Sequence, residues 1–155
     1  TFNIPIVSLV DEPGFLIGPD AEKAGTILHG TEAVLATTES SVPWTTIMIR
    51  KSFGVAAAAH YGPDGYVLAW PSAESGPLPL EGGVAVAFKK EIAEAKDPEA
   101  KRKELEEKMA KNQNPFPRAE AFSVHEIIDP RETRKYISLW AERIQSQLRA
   151  NLVNR

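Results

Sequence analysis

The chain has 155 residues, no cysteine and a formal net charge of −3, with 43% hydrophobic and 25% charged residues. These values fit one globular domain with a buried core. They give no support for binding nucleic acid or an anionic membrane surface, and they exclude disulfides, thiol catalysis and cysteine-ligated metal sites. Because no apolar run has the length of a membrane span and no signal-peptide pattern is visible, a cytoplasmic location is expected.

The start of the chain is abrupt. It reads Thr1-Phe2-Asn3, without a methionine, and leads at once into a strand-like run. Two explanations fit this start: processing, or excision from a longer protein.

The first predicted elements are a strand and a helix. "IPIVSLV", Ile4 to Val10, is apolar and β-branched, which predicts a buried strand covered on both faces. A loop rich in glycine and proline follows, and Asp20 is expected to cap the next element. Apolar spacing then predicts an amphipathic helix from about Ala21 to Ser40. Gly25 and Gly30 within it are expected to permit close packing.

The next three elements continue the alternation of strand and helix. A second strand is predicted at roughly Trp44 to Ile49, a short helix in "GVAAAAHYG", and a third strand in "GYVLAWP", which ends at Pro71. This order is typical of an α/β fold with a parallel sheet.

Helix signals dominate after Pro71. "SAESGPLPLEGG" predicts a short strand or turn, and "VAVAFKKEIAEAK" predicts a helix. Asp97-Pro98-Glu99 predicts a new helix with Asp97 as its cap. Mixed charges from Lys89 to Lys111 favour solvent-exposed helix faces.

The last part of the chain is predicted to be mainly helical. "NQNPFPRAEAF" is interpreted as a loop and "SVHEIID" as a short amphipathic segment. Asp129-Pro130-Arg131-Glu132 predicts a helix start with Asp129 as the cap. The following helix has one apolar stripe, formed by Ile137, Trp140, Ile144 and Leu148. The organisation expected is a core over residues 1–90 and a helical extension over 91–155.

The side chains offer little recognisable chemistry. Dinucleotide and phosphate loops, zinc-protease helices and nucleophile elbows have no match in the sequence. The histidines His29, His60 and His125 have no ligand-like spacing, so no metal site is predicted. Hydrogen-bonded structural roles are favoured for them, since nothing in the sequence pairs them with a nucleophile.

Two further features each allow two interpretations. Asp11 follows the first strand, where α/β sheets place ligands, but it also precedes Glu12-Pro13-Gly14 and is equally suited to capping that turn. The glycine pair in "LEGGVA" could present amides to an anion at a helix start. Tight packing is the favoured interpretation of that pair.

The stretch "RKSFGVAAAAHYG" directs attention to the backbone, because its small side chains offer no nucleophile. Gly54 to Ala56 lie where a strand ends and a helix begins. The first amides of a helix have no intrahelical acceptor and carry partial positive charge. Two of them converging on a carbonyl oxygen form an oxyanion hole. On local sequence alone, simple packing of an alanine-rich helix is favoured over such a site.

Six segments together resemble one family. In chain order they are "NIPIVSLVDEPGFLIG", "AVLATTESSVPWTTIMIRKSFG", "YVLAWPSAE", "EGGVAVAF", "NPFPRAEAF" and "IIDPRETRKYI". They resemble the C-terminal, biotin-side domain of acyl-CoA carboxylase carboxyltransferase β subunits, of the propionyl-CoA and acetyl-CoA carboxylase type. "DEPGFLIG" is similar to the family's Asp-x-Pro-Gly-Phe turn, and "AWPSAE" to its Ala-Trp-Pro-Thr/Ser-Ala motif.

The resemblance implies a fold and a reaction. The fold is α/β, a crotonase-like (ClpP/crotonase) superfold with a mainly parallel sheet and C-terminal helices. The reaction is transfer of a carboxyl group from carboxybiotin to the α-carbon of an acyl-CoA. Biotin would be carried on a partner domain or subunit and recharged by a biotin carboxylase.

The resemblance also implies that this chain is one part of a larger assembly. Residues 1–155 would be a partial C-terminal carboxyltransferase domain that lacks the N-terminal domain and one preceding helix. The site would form between domains of two subunits, in a homo-oligomer of dimers within a hexamer, with no nucleic acid or membrane as a partner. A chain with half of a site would be inactive alone.

Carried over residue by residue, the resemblance implies six site residues. They are Val55 and Ala56 as oxyanion donors through their amides, Gly54 and Ala58 at the acyl substrate, and Phe15 and Gly82 at biotin.

Two positions depart from the family pattern. Relatives carry a second glycine where this chain has Val55, and valine disfavours a positive φ and adds bulk. Relatives also carry Tyr-Asp where this chain has Ala57 and Ala58. The small residue could admit a different or bulkier acyl group, or mark a degenerate or regulatory member.

Three hypotheses therefore stand beside one another. The first is a carboxyltransferase. The second is a decarboxylase subunit of a membrane sodium-pump complex, which runs the same chemistry backwards. The third is a non-catalytic assembly domain whose pocket is closed by Val55.

Overall fold

A single parallel sheet organises the computed structural model, which describes residues 2–153. Its strands within that range are β1 Ile6–Glu12, β2 Trp44–Phe53, β3 Tyr66–Ala69, β4 Glu74–Gly76 and β5 Glu126–Ile127. The spatial order is β1-β2-β3-β5, and β4 also pairs with β2. Every one of these pairings is parallel. The expected α/β architecture with a parallel sheet is confirmed.

Helices connect and cover the strands. In the described part of the chain they are α1 Pro19–Lys23, α2 Thr26–Thr38, α3 Gly54–Ala58, α4 Leu80–Ala87, α5 Lys89–Ala93, α6 Pro98–Ala110, α7 Pro115–Glu120, α8 Thr133–Arg143 and α9 Gln145–Val153. A 3₁₀ turn, Pro130–Glu132, precedes α8. No helix between residues 2 and 153 combines the length and apolar character needed to cross a membrane.

The core lies on both faces of the central strands. Met48 and Ala69 pack on one face with Val124. Ile47 and Leu68 pack on the other face with Ile128. Successive residues of β2 thus point into opposite core clusters, because side chains alternate along a strand.

Strand β1 differs from its prediction. The segment Ile4 to Val10 was expected to be buried on both faces, but Val7 is 39% and Leu9 is 55% exposed, and only Val10 is fully buried. The reason is that, within residues 2–153, nothing covers the face of β1 that carries Val7 and Leu9, and β1 is the last strand at one end of the sheet.

The single helix predicted from Ala21 to Ser40 is also wrong. Gly25 adopts a left-handed conformation with φ of 71° and separates α1 from α2 as the N-cap of the latter. Glycine tolerates this conformation at little cost, so the chain turns there. Asp20 is not a cap: it lies within α1, whose N-cap is Gly18.

The cap predicted at Asp97 is confirmed. Its Oδ1 accepts hydrogen bonds from the amides of Glu99 and Ala100 at 3.1 and 3.0 Å. At the second predicted cap, Asp129 Oδ1 accepts from the amide of Arg131 at 2.9 Å.

Two predictions for the C-terminal part are corrected. "NQNPFPRAEAF" is not all loop, because α7 starts in it and Asn114 Oδ1 accepts from the amide of Phe116 at 3.1 Å. "SVHEIID" supplies β5, so residues 91–155 add a strand as well as helices. His125 precedes that strand rather than a helix. The division of the chain at residue 90 stays a prediction.

Candidate functional site

The turn from β2 into α3 is the centre of the candidate site. Phe53 ends β2 in an extended conformation, and Gly54 begins α3 with φ of +64°. A β-carbon added at Gly54 would lie 3.4 Å from the carbonyl oxygen of Pro77. The positive φ therefore falls on glycine, where it costs little. Val55 is not among the positive-φ residues, so its branched side chain causes no strain of that kind.

Two backbone amides lie in the first turn of the helix that begins here. Val55 and Ala56 occupy the first turn of α3, where N–H groups have no intrahelical acceptor. Across residues 2–153, neither of these two amides donates a hydrogen bond to a backbone carbonyl outside its own helix. The Val55 side chain is 67% exposed, whereas Ala56 is buried against the core. Both N–H groups thus lack an intrahelical acceptor and carry partial positive charge.

Three chain segments leave the sheet at the same edge as this turn. The register pairs Glu12 with Ser52 and Phe53 with Gly76, so the ends of β1, β2 and β4 are neighbours. The loop containing Phe15, the start of α3, and the segment leading to Gly82 all follow these ends. Phe15, Gly54 and Gly82 therefore follow strands that end at the carboxyl edge of a parallel sheet, where open α/β sheets bind ligands.

Phe15 has a clear packing partner. Its ring lies over Gly30 of α2, where an added β-carbon would be 2.2 Å from Phe15 Cζ. The expectation that Gly30 permits close packing is confirmed. Phe15 itself is half-buried, while Leu16 and Ile17 beside it are exposed.

The two glycines of "LEGGVA" fit different interpretations: tight packing for one and accessible backbone for the other. A β-carbon at Gly83 would lie 2.9 Å from Leu78 Cβ, which is tight packing. Gly82 has φ of +83°, is exposed, and has no described atom within 4 Å of an added β-carbon. Gly82 therefore offers open backbone, and its conformation favours glycine. Ala58 is likewise exposed, at the end of α3.

An ion pair joins the strands near this edge. Arg50 Nε donates to both carboxylate oxygens of Asp11 at 3.0 and 3.1 Å, and the amide of Lys51 donates to Asp11 Oδ1 at 3.2 Å. The Arg50 guanidinium holds the pKa of Asp11 below its ordinary value. The turn is capped instead by Glu12, whose Oε1 accepts from the amide of Gly14 at 2.9 Å. Asp11 therefore links β1 to β2.

The histidines have the hydrogen-bonded roles that were favoured. His29 Nδ1 lies 3.2 Å from Glu32 Oε2 on the surface of α2. His125 Nδ1 accepts from the amide of Val67 at 2.9 Å. His60 Nδ1 is hydrogen-bonded to Ser8 Oγ at 3.0 Å. Between residues 2 and 153, no three His, Asp or Glu side chains are grouped as metal ligands would be.

The polar side chains that surround the end of α3 were not predicted from the sequence. Thr37, Thr46 and Ser52 are buried, at 7%, 0% and 4% exposure. Short hydroxyl side chains in a strand or helix carry no sequence signal that separates a buried hydrogen-bonding role from an exposed one. Only the fold reveals their partners.

Comparison with known proteins is consistent with this geometry. The family model described as the carboxyl transferase domain matches residues 1–155. The propionyl-CoA carboxylase carboxyltransferase subunit of Haloferax mediterranei is 41% identical over 139 residues, which cover 86% of this chain and 27% of that protein. The methylmalonyl-CoA decarboxylase subunit alpha of Propionigenium modestum is 40% identical over 141 residues, covering 88% of this chain and 27% of that protein.

A solved structure has the same fold. It is a transcarboxylase 12S crystal structure, described as a hexamer assembly with methylmalonyl-coenzyme A and methylmalonic acid bound. Its TM-score is 0.81 at 40% identity, covering 93% of this chain and 28% of that one. The crotonase-like fold is therefore confirmed. This chain spans only 27% of the length of the curated relatives named above.

Proposed function

Because this chain belongs to the carboxyl transferase domain family, we propose that it is the biotin-side part of a carboxyltransferase that moves a carboxyl group from carboxybiotin to an acyl-CoA. The observation that carries the proposal is the pair of unengaged amides, Val55 and Ala56, at the carboxyl edge of the sheet. Such a site requires no reactive side chain, in agreement with the alanine-rich sequence around it.

The two amides act as an oxyanion hole. Biotin, when bound, would supply the carboxyl group from its ureido ring. Val55 and Ala56 would hold the ureido carbonyl oxygen through their N–H groups, which favour negative charge on the oxygen that they bind. Since α3 fixes both donors in advance, no rearrangement is needed at the moment of reaction. One donor of this kind typically contributes about 10²–10³ in kcat.

Four further residues shape the two halves of the proposed site. Gly54 and Ala58 are assigned to the acyl substrate, because Gly54 leaves the backbone accessible and Ala58 presents only an exposed methyl group. Phe15 and Gly82 are assigned to biotin. Support comes from the position of Phe15 on the loop after β1, from the position of Gly82 in the first turn of α4 after β4, and from the open space around Gly82.

The proposed site is completed by other parts of the protein and by partners. A carboxyltransferase domain outside this chain holds the CoA side, in a homo-oligomer of dimers within a hexamer. The hexamer assembly of transcarboxylase 12S supports this arrangement. A biotin carrier delivers the cofactor, and a biotin carboxylase recharges it. The proposed location is the cytoplasm.

A decarboxylase is the second candidate function. The relative from Propionigenium modestum is named a methylmalonyl-CoA decarboxylase subunit at 40% identity. In that case the same donors hold the same oxygen while the carboxyl group moves from acyl-CoA to biotin.

A non-catalytic domain closed by Val55 is less well supported. This hypothesis requires either backbone strain at Val55 or a Val55 side chain that fills the pocket. Val55 has no positive φ, and its side chain is 67% exposed rather than packed over Ala56.

The test uses the full-length parent subunit with carboxylated biotin carrier and a panel of acyl-CoA esters. We expect carboxyl transfer to at least one ester. Transfer of a carboxyl group from malonyl-type esters to the uncarboxylated biotin carrier, without transfer in the other direction, would identify the decarboxylase instead. Absence of transfer in both directions would overturn the proposed function.

A further inference from the structure

The short helix α3 has only small side chains with which to anchor itself. It consists of Gly54-Val55-Ala56-Ala57-Ala58, and a helix of five residues is not stable by itself in water. Ala56 and Ala57 are buried, but a methyl group contributes little packing area. Contacts of the neighbouring segments are therefore expected to help determine the position of the α3 amides.

Three side chains bind the carbonyl groups just beyond the C-terminal end of α3. Thr37 Oγ1 lies 3.0 Å from the carbonyl oxygen of Ala59 and 3.0 Å from that of Ala33, so its one hydrogen is shared between these two acceptors. Trp44 Nε1 and Thr46 Oγ1 both donate to the carbonyl oxygen of His60, at 2.9 and 2.7 Å. We call Thr37, Trp44 and Thr46 the carbonyl clamp. Carbonyl oxygens at a helix end have no intrahelical N–H donor. These side chains therefore supply hydrogen bonds that the carbonyl oxygens would otherwise lack.

Two side-chain contacts extend the clamp past the helix. His60 Nδ1 is hydrogen-bonded to Ser8 Oγ on β1 at 3.0 Å. The hydroxyl of Tyr61 is hydrogen-bonded to Ser52 Oγ on β2 at 2.8 Å. The Trp44 ring also packs on Gly62, where an added β-carbon would lie 2.5 Å from Trp44 Cβ. The segment after α3 is thus held by β1, α2 and β2 together.

The geometry links this clamp to the candidate site. Strand β2 supplies Trp44 and Thr46 at its start and leads directly into Gly54 at its end. The same strand therefore determines where α3 begins and where the segment behind it is held. A donor pair must be held within about 0.5 Å of its productive position, and a displacement of about 1 Å costs roughly 10²-fold in rate.

We propose that Thr37, Trp44 and Thr46 are positioning residues that set the orientation of α3, and hence of the Val55 and Ala56 amides. This inference rests on the proposed function, since it assigns the clamp a role in the same reaction. None of the three residues touches the substrate. They act through the carbonyl groups of Ala59 and His60.

A matched pair of substitutions tests the proposal. Thr46→Val removes the hydroxyl that binds His60. Thr45→Val, one residue away, removes a hydroxyl that is equally buried, at 0% exposure, and that donates to the carbonyl oxygen of Tyr66 at 2.9 Å. Both variants lose one buried hydrogen bond of β2, but only the first loses a contact with the segment after α3. Thr46→Ser retains the hydroxyl and serves as the rescue.

Two measurements are made on the full-length parent subunit. The first is kcat and KM for carboxyl transfer from the carboxylated carrier. The second is amide hydrogen exchange of the peptide covering residues 54–61. We expect Thr46→Val to lower kcat by about tenfold or more, with a smaller change in KM for the acyl-CoA, and to accelerate exchange in this peptide. Thr45→Val should change neither kcat nor the exchange rate. Thr46→Ser should keep both close to the values of the unsubstituted subunit.

Equal effects of Thr46→Val and Thr45→Val on kcat would show a merely structural role and overturn the proposal. An unchanged kcat in Thr46→Val would overturn it as well, whatever the exchange rate. If the unsubstituted subunit transfers no carboxyl group, the proposed function fails. The exchange data still show whether the clamp holds residues 54–61, so the two failures are distinguishable.

Discussion

The ring of Phe15 lies directly over Gly30 of α2, and a β-carbon added at Gly30 would stand 2.2 Å from Phe15 Cζ. The contact joins the loop after β1 to the helix that follows it. It also fixes the place of an aromatic ring assigned to biotin. A glycine that would weaken α2 by about 1 kcal/mol through helix propensity is thus explained by the ring on its surface.

Gly30→Ala should displace Phe15 and destabilise the parent subunit by about 1 kcal/mol, because the overlap outweighs the gain in helix propensity. In a Phe15→Ala background the same change should be neutral or stabilising, since the overlap is gone. Thermal unfolding of the two single variants and the double variant measures this. Additive effects would contradict the contact.

Val55→Pro should lower kcat by about 10²–10³ while the subunit remains folded, because proline lacks the N–H donor but is tolerated in the first turn of a helix. Val55→Gly, which retains the N–H, is the control and should stay within a few-fold of the unsubstituted protein. Carboxyl transfer and thermal unfolding are measured for each variant. Full activity in Val55→Pro would exclude this amide as a donor.

Gly54→Ala should destabilise the subunit by about 1–2 kcal/mol, because a residue with a β-carbon is strained at φ of +64°. Gly54→Asn should cost less, since asparagine visits this conformation more readily. The difference between their unfolding midpoints checks the prediction. Equal midpoints would mean that the β-carbon of alanine meets no strain there.

The ion pair of Asp11 and Arg50 predicts a pH-dependent contribution to stability. Arg50 lowers the pKa of Asp11 in the folded state, so the contribution is present above the ordinary carboxyl pKa of about 3.9 and disappears as the pH falls through the lower folded value. Asp11→Asn should therefore lower the unfolding temperature slightly at pH 7.

The size of the Asp11→Asn effect should be small and should fall with added salt, because the side chains of Arg50 and Asp11 are 65% and 40% exposed. Arg50→Gln should lower the unfolding temperature by the same small amount at pH 7. The unfolding temperatures of the three proteins should converge at low pH. A difference that persists below the folded pKa would indicate that Asp11 acts through something other than this pair.

Much of the fold follows from local patterns. The parallel alternation of β2, α3 and β3 was predicted from apolar runs and the alanine stretch, and Asp97 and Asp129 were recognised as caps by their residue type and the proline that follows. These features depend on neighbouring residues, so sequence reveals them. The loop assigned to "NQNPFPRAEAF" was wrong because its prolines occupy the first turn of α7, where proline is compatible with a helix.

The sequence by itself determined the family, the parallel α/β class and the turn at Gly54 to Ala56, because motifs and amphipathic patterns are local properties of the chain. Tertiary structure alone decided which buried hydroxyls hold the segment after α3, that β1 stands at an edge, and that the positive φ falls on Gly54 rather than Val55. The partners in these relationships are distant in sequence: Thr37 and Ala59 are 22 residues apart, and Ser8 and His60 are 52 apart. Contacts of that separation exist only once the strands have paired.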